Sequence, residues 1–154
     1  MNPTPLPPNV VETIRAYFEE VIPFNRLLGL RVVGIDSEAS RVEFDMRPDL
    51  VGNTSKGILH GGVISAVLDA VGGMAAIAGA MSRPELDDEG RLAVATRIGT
   101  IDLRVDYLRP AIGKTFMAVA RTMRVGMTVA VTRMELHDED DKLLAVGTGT
   151  YIVG

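Results

Sequence analysis

The chain has 154 residues, no cysteine, two histidines and a formal net charge of -4. That length suits one domain, residues 1–154, with a sizeable core. The missing thiols exclude a disulfide scaffold, a thiol nucleophile and cysteine-ligated zinc, and the mild negative charge offers no basic stripe for nucleic acid.

The opening "MNPTPLPPNV" is Pro-rich and is expected to be loose; it lacks the basic flank and apolar run of a secretory signal, so the cytoplasm is the expected location. Residues 1–29 read as a helical lead-in. Val10, Ile14, Tyr17, Phe18 and Val21 share one face at helical spacing, and "PFNRLLGL" forms a short helical turn closed by Gly29. Leu30–Asp36 and Arg41–Met46 are strand-like; in the second, Val42, Phe44 and Met46 alternate with charged residues. The loop "RPDLVGNTSKGIL" leads into Gly61–Met81, a helix apolar almost all round, and "SRPELDDEGR" follows as a charged loop. From Arg97 the chain is strand after strand: Arg97–Leu108, Thr115–Arg124, Thr128–His137 and Leu143–Val153. In the first of these Ile101, Leu103, Val105 and Tyr107 alternate with Asp102, Arg104 and Asp106, which predicts one inward face. Ala145, Gly147 and Gly149 share a face where glycine weakens a strand unless something approaches closely, and the long helix is the expected neighbour. The pattern is α+β: a long central helix wrapped by a curved antiparallel sheet of five or six strands.

That helix carries an unexpected acid. Gly61–Met81 is long enough to span a bilayer, yet Asp69 stands in its middle and its Gly and Ala content makes it weakly apolar. No membrane span is expected. The alternatives left are a buried helix with a hydrogen-bonded acid and an active site. Gly61 and Gly62 open the helix, where the first N–H groups lack intrahelical acceptors and lie at the positive end of the dipole. A substrate oxygen can reach N–H groups that no side chain shields, as an oxyanion site requires, although a glycine pair also serves a tight turn. Asp69 lies ~12 Å further along the axis, and His60 projects from nearly the opposite side. If Gly61 and Asp69 share a site, a second subunit supplies one of them.

The stretches "VIPFNRLLGL", "VGNTSKGILHGGV", "HGGVISAVLDAVGG", "GTIDLRVDYLRPA" and the ending "TYIVG" resemble the PaaI-like hotdog-fold acyl-CoA thioesterases, closest to their YigI-type medium- and long-chain members. The resemblance runs from about Val21 to Gly154. It implies a hotdog fold and hydrolysis of acyl-CoA by a homodimer, as a dimer of dimers, with no cofactor beyond the coenzyme A of the substrate. It implies Asp69 as general base or as nucleophile, Gly61 N–H of the partner subunit polarising the carbonyl, and His60 holding the thioester end. Thr100 takes the place of a hydroxyl that orients water or the acid. Relatives carry an Asn or Gln six places before the motif histidine; here Thr54 is six before and Asn53 seven before, with Asn53 the choice. Gly62 and Arg109 are the expected substrate-binding residues, and Lys56, Arg97, Arg104, Arg121 and Arg124 are further cations available for coenzyme A phosphates. No metal site is expected: His137, the other histidine, reads as part of a solvated strand end. The rival functions are a hotdog enoyl-CoA hydratase or dehydratase, using a histidine and an acid, and a non-catalytic acyl-CoA-binding module.

Overall fold

The computed structural model describes residues 5–36 and 38–154; the looseness expected of the Pro-rich opening falls in part on residues 1–4, outside that range. Pro8–Ala16 forms α1, and the following turn, Tyr17–Val21, is a π-helix closed by Ile22 N–H on Tyr17 O at 3.1 Å. A π turn holds one extra residue and so shifts the phase of an apolar stripe. Ile14 and Phe18 are buried, whereas Tyr17 and Val21, expected on the same face, are 42% and 59% exposed. Pro23–Leu28 forms α2. It ends at Gly29 with φ 70°, a left-handed conformation that glycine adopts without a Cβ penalty.

Arg31–Ile35 and Ala39–Asp45 pair as the antiparallel strands β1 and β2. The next loop contains a small hairpin, β3 (Val51–Asn53) with β4 (Ile58–Leu59). The long helix α3 runs Gly61–Met81 as predicted. The charged segment after it is not all loop: Asp88–Arg97 forms helix α4. Asp87 caps it by accepting from Gly90 N–H at 2.8 Å, and Asp88 and Glu89 fill the first turn, where carboxylates suit the dipole. Because α4 consumes Arg97, the next strand β5 starts later than predicted, at Gly99, and runs to Tyr107. Strands β6 (Thr115–Val125), β7 (Val129–Asp138) and β8 (Leu143–Ile152) follow.

The sheet has six strands in the order β1-β2-β6-β7-β8-β5, every neighbouring pair antiparallel. Strands β6 to β8 are a meander, but β5 crosses over to lie beside β8 as one edge. The sheet curves round α3, whose residues Val71–Met81 are all buried. This helix is long and apolar enough to cross a membrane, but 67% of its most apolar window is buried inside the fold. Its partner is the sheet, and Phe44 and Phe116 stack beside it in the core with centroids 5.3 Å apart.

The inner-facing glycines of β8 serve different neighbours. A Cβ on Gly147 would meet Arg104 O of β5 at 3.1 Å, Met134 Cε of β7 at 3.3 Å and Leu68 of α3 at 3.4 Å, so the helix is one of three neighbours that close round it. A Cβ on Gly149 would stand 2.6 Å from the Tyr151 hydroxyl, so that space is kept for a ring on the same strand. The same hydroxyl lies against Gly72 of α3, where a Cβ would overlap it. Gly72→Val is therefore expected to cost about 2–3 kcal/mol by overpacking and to lower Tm by roughly 5–10 °C. Calorimetry on the purified variant checks this; an unchanged Tm would mean that Tyr151 has room to move.

Candidate active site

Ala66, Asp69, Ala70 and Gly73 fall at i, i+3, i+4 and i+7 on α3 and form one stripe along it. The stripe is one wall of a cavity of about 280 Å³, closed by Phe18, Ile98 and Thr100 among others. Small side chains at Ala66, Ala70 and Gly73 leave the Asp69 carboxylate standing above its surroundings. Its Oδ1 accepts a hydrogen bond from Thr100 Oγ1 at 2.9 Å.

Thr100 reaches Asp69 because β5 is bulged. Thr100 pairs with Tyr151 and Asp102 with Thr150, leaving Ile101 as the extra residue. One inserted residue reverses the alternation, so Thr100 joins Leu103 and Val105 on the inner face. Ile101, predicted to point inward, is instead 53% exposed. Tyr151, opposite Thr100, donates its hydroxyl to the backbone oxygen of Asp69 at 3.2 Å. Burial, then the Asp69 charge, pushes the Tyr151 phenol well above its ordinary value, so it remains a donor through the working pH range.

The other end of the helix builds a separate cavity of about 350 Å³, lined by Gly61, Ile64, Tyr107 and Arg109 among others. His60 is the N-cap of α3, and its Nδ1 accepts from Gly62 N–H at 2.8 Å. An accepting Nδ1 carries no proton, which leaves Nε2 as the donor of the neutral ring. Gly62 N–H is thus used within the chain. Among the described residues Gly61 N–H has no acceptor, and it lies at the positive end of a 21-residue helix. The Tyr107 hydroxyl donates to Gly61 O at 3.0 Å and holds this turn in place.

The Thioesterase superfamily matches residues 56–145, more than half the chain. The chain belongs to the thioesterase superfamily. It is 44% identical over 134 residues to the medium/long-chain acyl-CoA thioesterase YigI of Salmonella typhimurium and 43% identical to YigI of Escherichia coli, covering 86% of each chain in both cases. A Shewanella oneidensis protein related to the same superfamily superposes with TM-score 0.91 at 44% identity, covering 95% of this chain and 96% of that one. A putative thioesterase of Syntrophus aciditrophicus superposes with TM-score 0.82 at 40% identity, over 93% and 95% of the two chains. The architecture is the hotdog fold that the motifs implied, and this thioesterase-superfamily member is a thioester hydrolase.

Within this superfamily member the residues picked out from sequence divide into two groups. Asp69 and Thr100 meet in one cavity; Gly61 and Arg109 line the other, beside which His60 caps the helix. Arg109 is held by its Nη1 donating to Leu143 O at 2.8 Å. Asn53 lines neither cavity: its Oδ1 accepts from Ser55 Oγ at 2.8 Å and from Lys56 N–H at 3.3 Å, within its own hairpin. Thr54 is an exposed residue of the same turn. Three residues at the site were not picked out from sequence. Tyr107 and Tyr151 carried a signal, as hydroxyl-bearing rings on apolar strand faces. Gly52 carried less: a Cβ there would lie 2.7 Å from His60 Cα, so its absence lets β3 pass the cap.

Proposed function

We propose that the chain hydrolyses medium- and long-chain acyl-CoA to the free acid and coenzyme A, acting as a homodimer with two shared sites. The observation that carries this reading is the separation of its two half-sites. The Asp69–Thr100 pair and the free Gly61 N–H line different cavities. They lie ~12 Å apart along one helix. One thioester cannot touch both on the same chain, whereas a two-fold partner brings Gly61 of one copy to Asp69 of the other. The activity of the YigI relatives supports the substrate class.

In the general-base route Asp69 takes a proton from water, and the resulting hydroxide adds to the thioester carbonyl. The oxyanion is stabilised by Gly61 N–H of the second copy, with the helix dipole behind it. Collapse breaks the C–S bond, and the thiolate of coenzyme A recovers the proton from Asp69. In the nucleophilic route the carboxylate itself adds, expels the thiolate, and leaves a mixed anhydride that water opens. Both routes balance without metal or cofactor. In this reading His60 holds the thioester end through Nε2–H, and Arg109, which lines the second half-site, binds coenzyme A. A cytoplasmic dimer of dimers completes the reading.

Thr100 orients the acid in either route. Thr100→Val is expected to lower kcat about 10–100-fold with little change in KM, the worth of one hydrogen bond to a charged group. Thr100→Ser should restore most of the rate, a rescue that a purely packing role for the threonine would not predict. Thiol release across acyl-CoA chain lengths, run beside hydration of an enoyl-CoA, tests the reading as a whole. Release without hydration is expected. Hydration without release would turn the assignment to a hydratase, and binding with neither reaction would turn it to a binding module.

A further inference from the structure

The Asp69 cavity has a neighbour. Phe18 and Ile98 line it and also line a second, mostly apolar space of about 410 Å³. That space lies between α1, the C-terminal half of α3 and α4, with Ile14, Tyr17, Ile77, Met81, Leu92 and Ala95 in its walls. We propose that it is the compartment for the acyl tail, and that Phe18 and Ile98 form the throat joining it to Asp69; this rests on the thioesterase reading above.

The lining fits a hydrocarbon. Its two threonine hydroxyls are engaged with their own helices, Thr13 Oγ1 donating to Asn9 O at 2.8 Å and Thr96 Oγ1 to Ala93 O at 3.0 Å. An apolar chain therefore strands neither threonine hydroxyl there. Leu92 and Tyr17 remain 65% and 42% exposed in its walls, apolar surface that a bound tail would cover. The throat is a built feature too. The π turn contains the buried Phe18, and the buried Asn25 holds that turn by donating to Phe18 O at 3.1 Å. π turns inside helices concentrate at functional sites.

The length also fits. From Asp69 to Ile77 and Met81 is about 12–18 Å along α3. An extended chain advances about 1.2 Å per bond, so the compartment takes a tail of roughly ten to fifteen carbons. It also gives α4 a role: the helix forms the outer wall of the space.

Thiol release measured from butanoyl- to hexadecanoyl-CoA tests this. In the wild type, kcat/KM should climb by up to about fourfold per added methylene while the tail enters, then level off. Ala95→Phe places a ring inside the space, and Leu92→Trp places one at its wall from an exposed position that the fold tolerates. In either variant the ratio of kcat/KM for dodecanoyl-CoA over butanoyl-CoA should fall about tenfold or more. A ratio unchanged in both folded variants, or in Leu92→Trp alone if Ala95→Phe does not fold, overturns the compartment and leaves the thioesterase reading standing. Failure of the folded wild type to hydrolyse any acyl-CoA overturns both.

Discussion

Asp69→Asn is expected to leave the fold intact and to lower kcat by about 10²–10⁴-fold, the usual contribution of a general base. The amide matches the carboxylate in size and still offers an oxygen to Thr100 Oγ1, so the local geometry survives. What it loses is the capacity to accept a proton from water or to attack a carbonyl. The loss should fall on kcat, with KM little changed, because the group acts in the transition state and contributes little to holding the ground state. Steady-state kinetics beside circular dichroism and a thermal melt would show this. Near-wild-type turnover in a pure, folded Asp69→Asn variant would remove Asp69 from the mechanism under both the base and the nucleophile route.

The second large effect is loss at Gly61 and its recovery in mixed dimers. Gly61→Val places two methyl groups where the thioester oxygen must approach, and a Cβ there already meets Tyr107 at 3.3 Å. Blocking one oxyanion donor costs about 10²–10³-fold in kcat. Each variant alone is then close to inactive. In a heterodimer of Asp69→Asn with Gly61→Val, one site carries both lesions and the other carries neither, provided that each site takes Asp69 from one copy and Gly61 from the other. Random pairing makes half the dimers mixed and leaves half of their sites intact, so a co-refolded equal mixture should recover about a quarter of wild-type activity. Native mass spectrometry establishes that the mixed dimers exist. If they form and no activity returns, the shared site is wrong. If each variant alone retains high activity, the assignment of both residues is wrong.

The length of α3 and the alternation of β2 depend on near neighbours in the chain, and they are legible in "HGGVISAVLDAVGG" and "RVEFDM" without a structure. So is the spacing of Gly61 and Asp69, since helix geometry fixes it once the helix is recognised. The family follows from the same local motifs and is shown by the matching relatives. Tertiary structure decided what depends on a shift of one residue or on contact across the fold. The π turn at Tyr17–Val21 and the bulge at Ile101 each insert one residue and change the side that follows; one leaves Val21 exposed where helical spacing puts it inward, the other turns Thr100 to Asp69. Local periodicity averages over such insertions and misses them. Helix α4 was hidden because only Val94 among its residues is buried, too little of an apolar stripe to stand out from a charged loop. The meeting of Asp69 with Thr100, 31 residues away, and with Tyr151, 82 residues away, exists only because β5 crosses the sheet to pair with β8, a long-range choice made by the packing of the whole core around α3.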